Sequence, residues 1–470
     1  VQRQLGRLYY SLGEARIAAE LFADGLHGLE PQQREEALAL ADDLSVQTNV
    51  LVDMEERPQA LAVAQRAAAL RTRFAAGDVV QQLRSHQDLG AGYYGTREFP
   101  AAEQQWQQAI ALSKSMASPP VEAVITVYGL LGSLQNEMSQ RAQALQTLED
   151  GIAFTDRVGV PVASPLRISL LRRKAEVLIA SGQAPVAEDV VRTALDLQAR
   201  TVGDKGVEAA ALYNALGLAQ FEQGHFGAAA ATFARSNALF SSSADAPSQQ
   251  VAALANEAAV NESAGDYARA KLLYDRAIAQ LDAAHIGAED AVRRGTLRNA
   301  ARVLVMTGDF RAARELLERL QEQARRIEGV DAQEYAWVLW QRVVLARRMQ
   351  DLAGGTRLLE EARARWSKLV PATHPIFAHV KANEAAFAEL RGDLQTAERL
   401  LGEAVSTLEA AGRLVDTAAT RTTQARIRLK RGDRAGARQL LAQALPVLRQ
   451  SVLPTHVGRS EAEKLASGLP

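Results

Sequence analysis

The chain predicts an all-α solenoid, and three observations carry that prediction. A small residue returns about every 42 residues, at Ala18, Ala60, Ala102, Ala144, Ala187, Ala229, Ala270, Ala313, Gly355, Ala397 and Ala437, with gaps of 42, 42, 42, 43, 42, 41, 43, 42, 42 and 40. An apolar content of 47% with only 14 Pro and 5% aromatics suits helices packed on helices and argues against sandwiches and barrels. Glycines stand inside helical stretches, where each costs about 1 kcal/mol against Ala, a cost that makes sense only if a partner helix approaches too closely for a side chain. The length prior of about 150 residues per domain suggests about three domains. The metre overrides it, because a stack in which each unit buries its apolar face against its neighbours keeps one period throughout. A single array over residues 1–470 is therefore expected.

Taken in order, the first copy reads LGRLYYSLGEARIAAELFADG at residues 5–25, with Gly6 inside a helix, Gly13 at the turn and Phe22 beside Ala18. The second, anchored at Ala60, lacks the Gly–aromatic pair. The third reads LGAGYYGTREFPAAEQQWQQA at 89–109, pairing Gly90 with Trp106, and the fourth carries Gly132 before Ala144. The fifth also lacks the pair but keeps a turn at Gly182. The sixth reads LGLAQFEQGHFGAAAATF at 216–233, with Gly217, Gly224 and Phe233. From the seventh copy onward the turns fall at Gly265, Gly308, Gly392 and Gly432, since glycine ends a helix readily at positive φ. The Gly, Pro and Ser clusters at 117–121, 157–165, 201–206, 241–248 and 370–375 read as loops between copies, because the phase continues through each.

This pattern of Gly, large residue, turn, Ala, aromatic and small residue resembles the tetratricopeptide repeat, and the resemblance covers essentially the whole chain. The extra 8 residues over the usual unit of about 34 imply longer helices, similar to the kinesin light chain type, in which an HP pair such as His374-Pro375 often opens a copy. The resemblance implies a right-handed superhelix of about eleven helix–turn–helix repeats, some 22 helices. Residues 456–470 read as a C-terminal cap, with Ser460–Ser467 as its covering helix. The chain opens inside the first helix of a copy, which predicts further segments upstream in a longer protein.

Composition excludes several classes of function. A net charge of −1 gives no basic field for nucleic acid. The absence of Cys removes disulfides, thiolate metal sites and Cys nucleophiles. No run of 18 apolar residues or signal peptide is present, so this segment is not expected to cross a membrane. Residues 90–95 spell G-x-G-x-x-G, but a dinucleotide fingerprint needs a strand before it, and here a helical pattern precedes it. None of His27, His86, His225, His285, His374, His379 and His456 has metal-site spacing. No P-loop, nucleophile elbow or kinase loop appears. No catalytic residue, metal or cofactor is expected.

The resemblance implies that the first helices line a concave groove that binds a protein or peptide. Its groove positions map onto Asn256, Arg298, Asn299, Arg302, Gln341, Arg347 and Asn383, flanked by Glu262, Trp340 and Arg348, with Arg172 and Arg173 at comparable positions in the fifth copy. An amide both donates and accepts, so Asn suits an extended backbone. An Arg fork suits a carboxylate, so the ligand should carry an acidic group. Arg302 is expected to be exposed and to contribute little to stability. Alternatively, Asn ties adjacent copies together, the Arg residues are solvated, and Trp340 is core.

Similar arrays follow a kinase domain and a transmembrane helix in bacterial serine/threonine kinases, which implies a sensor domain in the periplasm. They also occur in bacterial transcription regulators and in cytoplasmic scaffolds, and both alternatives stay open. Oligomeric state is not encoded in any motif.

Overall fold

The structure is a computed structural model describing residues 1–11, 15–54, 56–201, 203–241, 247–284, 286–288 and 290–469. Every regular element among these is an α-helix, 23 in all. The chain folds as two compact units, Val1–Glu222 with Ala238–Ala246, and Gln223–Asn237 with Pro247–Pro470. Gly13 and His285 lie outside the described residues.

The first unit runs α1 (Gln2–Ser11), α2 (Ala15–Leu26), α3 (Arg34–Asp53), α4 (Arg57–Ala75), α5 (Val79–Gly95), α6 (Phe99–Lys114), α7 (Val121–Glu137), α8 (Arg141–Arg157), α9 (Pro165–Ala180), α10 (Ala184–Thr201) and α11 (Gly206–Glu222). Helix α12 (Phe226–Ser241) contributes to both units. The second unit continues with α13 (Pro247–Ala264), α14 (Tyr267–Ala283), α15 (Ala291–Thr307), α16 (Phe310–Ile327), α17 (Gln333–Arg348) and α18 (Leu352–Leu369). It ends with α19 (Ile376–Leu390), α20 (Leu394–Ala410), α21 (Leu414–Lys430), α22 (Arg434–Ser451) and α23 (Val457–Ser467).

In the second unit the turns of α13–α14, α15–α16, α19–α20 and α21–α22 are each written by a Gly-Asp dipeptide. Gly265, Gly308, Gly392 and Gly432 take φ between 82° and 93°, ending the first helix in the left-handed region. The Asp that follows then caps the second helix, a contribution of about 1 kcal/mol each. Asp266 accepts from the Arg269 N–H at 2.9 Å, Asp393 from Thr396 at 3.0 Å and Asp433 from Gly436 at 2.8 Å. In the turns of α5–α6, α7–α8 and α17–α18 the left-handed position is held by a residue other than glycine, and there Arg97, Ser139 and Gln350 take φ of 62°, 63° and 58°.

All ten anchor alanines are fully buried at the pair contacts. A Cβ at Gly90 would stand 2.3 Å from Trp106 Nε1, so residues 90–95 are helix packing at the end of α5 and not a phosphate loop. The ninth anchor is Gly355 because a Cβ there would meet the Phe387 ring at 2.3 Å.

Within the second unit, the first helices of successive pairs pack on one another, α13 on α15, α15 on α17 and α17 on α19. Successive second helices make no comparable contact, which places the first helices on the tighter, inner side. Helix α23 packs on α21 and α22. The strap before it returns to the first turn of the same unit. Leu453 N–H donates to the Ala264 carbonyl at 2.8 Å, and Thr455 Oγ1 donates to the Gly265 carbonyl at 2.8 Å, across 190 positions.

Candidate functional site

The inner helices of the second unit carry all seven residues singled out from the sequence, and they are joined by a ladder of ion pairs. Arg302 on α15 meets Glu262 on α13 at two points, Nη2 standing 2.7 Å from Oε2. Arg298, one turn earlier, pairs with Glu334 on α17 and lies over the Trp337 ring at 5.8 Å. Between α19 and α21, Glu389 accepts from both Arg426 and Lys430, the latter at 2.7 Å. Arg426 also reaches Glu461 on α23 at 2.7 Å. The Arg and Glu residues of neighbouring helices therefore satisfy one another, which lets a charged face stay packed.

These partners shift the groups in opposite directions. Burial works against the Arg302 charge, but Glu262 more than offsets it and holds the guanidinium above its ordinary value. Burial draws Arg298 down, with Glu334 opposing. Burial also raises Glu334, against the pull of Arg298. At Glu389 burial is overcome by the hydrogen bonds from Lys430 and Arg426, and the carboxyl sits below its ordinary range.

The expectation of an exposed, uncommitted Arg302 does not hold, because its guanidinium is bound to buried Glu262. Gln341 and Asn383 are buried rather than open. Asn383 Nδ2 donates to the His379 carbonyl of its own helix at 2.8 Å, leaving Oδ1 buried without a partner, as is Gln341 Oε1. Trp340 is buried, as the core alternative has it. Asn256 and Asn299 are half-buried on α13 and α15, and the Asn299 amide has no protein partner among the described residues. Arg347, half-buried near the end of α17, has no carboxylate partner, and its Nε is buried without a hydrogen bond. In the first unit, Arg172 pairs with Glu176 and Glu208, and Arg173 donates to Ser133 Oγ at 2.5 Å.

The sequence reading missed Glu389, Arg426, Lys430 and Glu461. A signal was present, since Glu262 and Glu389 each stand three residues before a turn glycine, Gly265 and Gly392. Among the described residues no cluster of three or more His, Asp or Glu is placed to hold a metal ion, and no helix is long and apolar enough to cross a membrane.

Residues 166–242 match the family model of the tetratricopeptide repeat. No curated protein matches the chain by sequence. Among solved structures, the fold is similar to the apo form of RapI, at 10% identity and a TM-score of 0.55 over 80% of this chain and 99% of that one. It is similar to a Rap protein complexed with Competence and Sporulation Factor, at 13% identity and a TM-score of 0.50 over 86% of this chain and 99% of that one. It is also similar to a signal transduction ATPase with a tetratricopeptide repeat sensor from Pyrococcus horikoshii, at 12% identity and a TM-score of 0.50 over 83% of this chain and 54% of that one. The fold is an all-α solenoid of the tetratricopeptide-like kind.

Proposed function

We propose that this chain is a non-catalytic module that binds a protein or peptide along the inner helices of its second unit. One observation carries the reading: buried side-chain atoms without a protein partner stand on these helices, namely Gln341 Oε1, Asn383 Oδ1 and Arg347 Nε. Buried polar atoms are otherwise paired in folded proteins, and leaving one unpaired costs about 1–3 kcal/mol. An extended backbone, with alternating donors and acceptors, supplies partners for such a row. Two structures of this fold support the reading, one being a complex with Competence and Sporulation Factor and one containing a repeat sensor.

The wider reading makes the module the sensor or regulatory part of a larger bacterial signalling protein, a serine/threonine kinase-like receptor with the array outside the cytoplasm. A transcription regulator or a cytoplasmic scaffold is the alternative parent, and the gene sequence upstream of Val1 discriminates among them.

The binding test is selection from a random peptide library, followed by titration of the enriched peptides. Binding should weaken with Asn299→Ala and Arg347→Met, and remain with Arg311→Ala on α16, whose side chain is 92% exposed. Peptides that bind the inner-face variants as they bind wild type, but fail on Arg311→Ala, would falsify the assignment.

A further inference from the structure

The ladder of ion pairs breaks at the end of α17. Arg347 and Arg348 stand side by side there, with no carboxylate partner among the described residues and each Nε buried without a hydrogen bond. Arg348 donates to the Met306 carbonyl at 3.1 Å, while Arg347 donates to nothing among the described residues. Both line a cavity of about 410 Å³, shared with Arg426, Glu389, Glu461 and His456. The two carboxylates are already committed to Arg426, and Glu389 also to Lys430. The cavity therefore holds more positive than negative charge. A buried guanidinium without an anion is costly, and burial together with Arg348 and Arg426 draws Arg347 below its ordinary value.

We infer that this cavity binds an oxyanion, a carboxylate or a phosphate group, seated on Arg347 and Arg348. The inference deepens the binding reading and rests on the inner face of the second unit being the binding surface. A guanidinium presents N–H donors in a fixed fork that matches two oxygens of such a group. The opening residues of α23, Val457 and Gly458, line the same cavity and bring the positive end of a helix to it. The volume falls near the lower end of small-ligand sites, about 300–1,000 Å³, so it suits one charged group with a short apolar stem and not a run of extended chain.

The far wall is built rather than incidental. His456 precedes α23, its Nδ1 is buried without a partner, and its Cα would stand 2.5 Å from any Cβ placed on Gly265. The strap on Gly265 and the packing of α23 on α21 and α22 fix that wall at both ends. Glu461 already engages the third guanidinium, Arg426, at 2.7 Å, so an incoming anion competes with it for positive charge.

The test uses the whole chain at constant ionic strength, titrated with potassium phosphate and separately with N-acetyl-leucine and its uncharged amide. Heat is measured by calorimetry, and the arginine Nε–H signals are followed by NMR. Saturable binding of phosphate, N-acetyl-leucine or both is expected, with the amide silent and the shifts centred on Arg347 and Arg348. Whichever probe binds identifies the source of the oxyanion. Arg347→Met should weaken binding by about 10- to 100-fold, the range of a lost charged hydrogen bond, and Glu461→Gln should strengthen it. A thermal melt verifies that Arg347→Met is folded, and Arg348→Met serves as a second variant. No saturable binding by either anion, or unchanged affinity in a folded Arg347→Met, overturns the inference. If selected peptides still bind through Asn299 while both anions fail, only the oxyanion site is lost. If neither peptides nor anions bind, the binding-surface reading fails with it.

Discussion

Glu262 and Arg302 lie 40 residues apart on adjacent inner helices and meet in a two-point ion pair, with Nη2 2.7 Å from Oε2. The carboxylate is buried, so the pair couples one repeat to the next instead of waiting in solvent for a ligand.

Arg302→Ala should therefore destabilise the second unit by about 1–3 kcal/mol, the cost of leaving a buried charged group without its partner. Urea denaturation of wild type and variant measures it. A midpoint unchanged by the substitution would show that the arginine is dispensable for packing.

Acid should weaken the link between α19 and α21. The Glu389 carboxyl lies below its ordinary value of 4.5 because the Lys430 and Arg426 hydrogen bonds outweigh burial. A depressed carboxyl contributes stability in full above the unfolded value, and that stability is lost as pH falls through the folded value. The stability gap between wild type and Glu389→Gln should thus be largest at neutral pH and shrink below 4.5. A gap that widens on acidification would contradict the assignment.

Ser139 is exposed and holds φ of 63° at a turn where other pairs use glycine. Ser139→Gly should raise stability by about 1 kcal/mol, the left-handed penalty of a residue with a Cβ. A lower melting temperature in this variant would refute the strain argument.

Overpacking tests the anchors. Ala313 is fully buried on α16, and Ala313→Leu should cost about 1–3 kcal/mol. The same holds for Ala270→Leu on α14. Unchanged melts in both would remove these positions from the pair contact.

The strap has its own signature. Gly265 combines a φ of 93° with the 2.5 Å approach of His456, so Gly265→Val should displace the strap. Amide exchange should then speed up in α23 while α3 to α5 in the first unit keep their protection. Equal exchange in α23 before and after would mean that the strap is held elsewhere.

The repeat was legible because its rules are local: an anchor alanine, an aromatic and a turn glycine fall within one helical hairpin, and each acts where the spacing puts it. The candidate site was less legible. Gln341 and Asn383 share the helical spacing of open groove positions, but a period of about 3.6 residues does not say whether a side chain faces the groove or the seam with the next inner helix. Arg302 read as free because its partner Glu262 lies in another copy. The meeting of Thr455 with Gly265 spans 190 positions, beyond the reach of any pattern within a repeat.

That meeting also fixes the copy number of the second unit. Open arrays gain and lose repeats readily, because each one touches only its neighbours. Here Thr455 lands on Gly265 only if the number of helical pairs between them is kept. Duplication or deletion of one 42-residue copy in that stretch would carry the strap past its seat and open the wall beside Arg347. The second unit is therefore free to diverge by substitution but not by changing length in whole repeats.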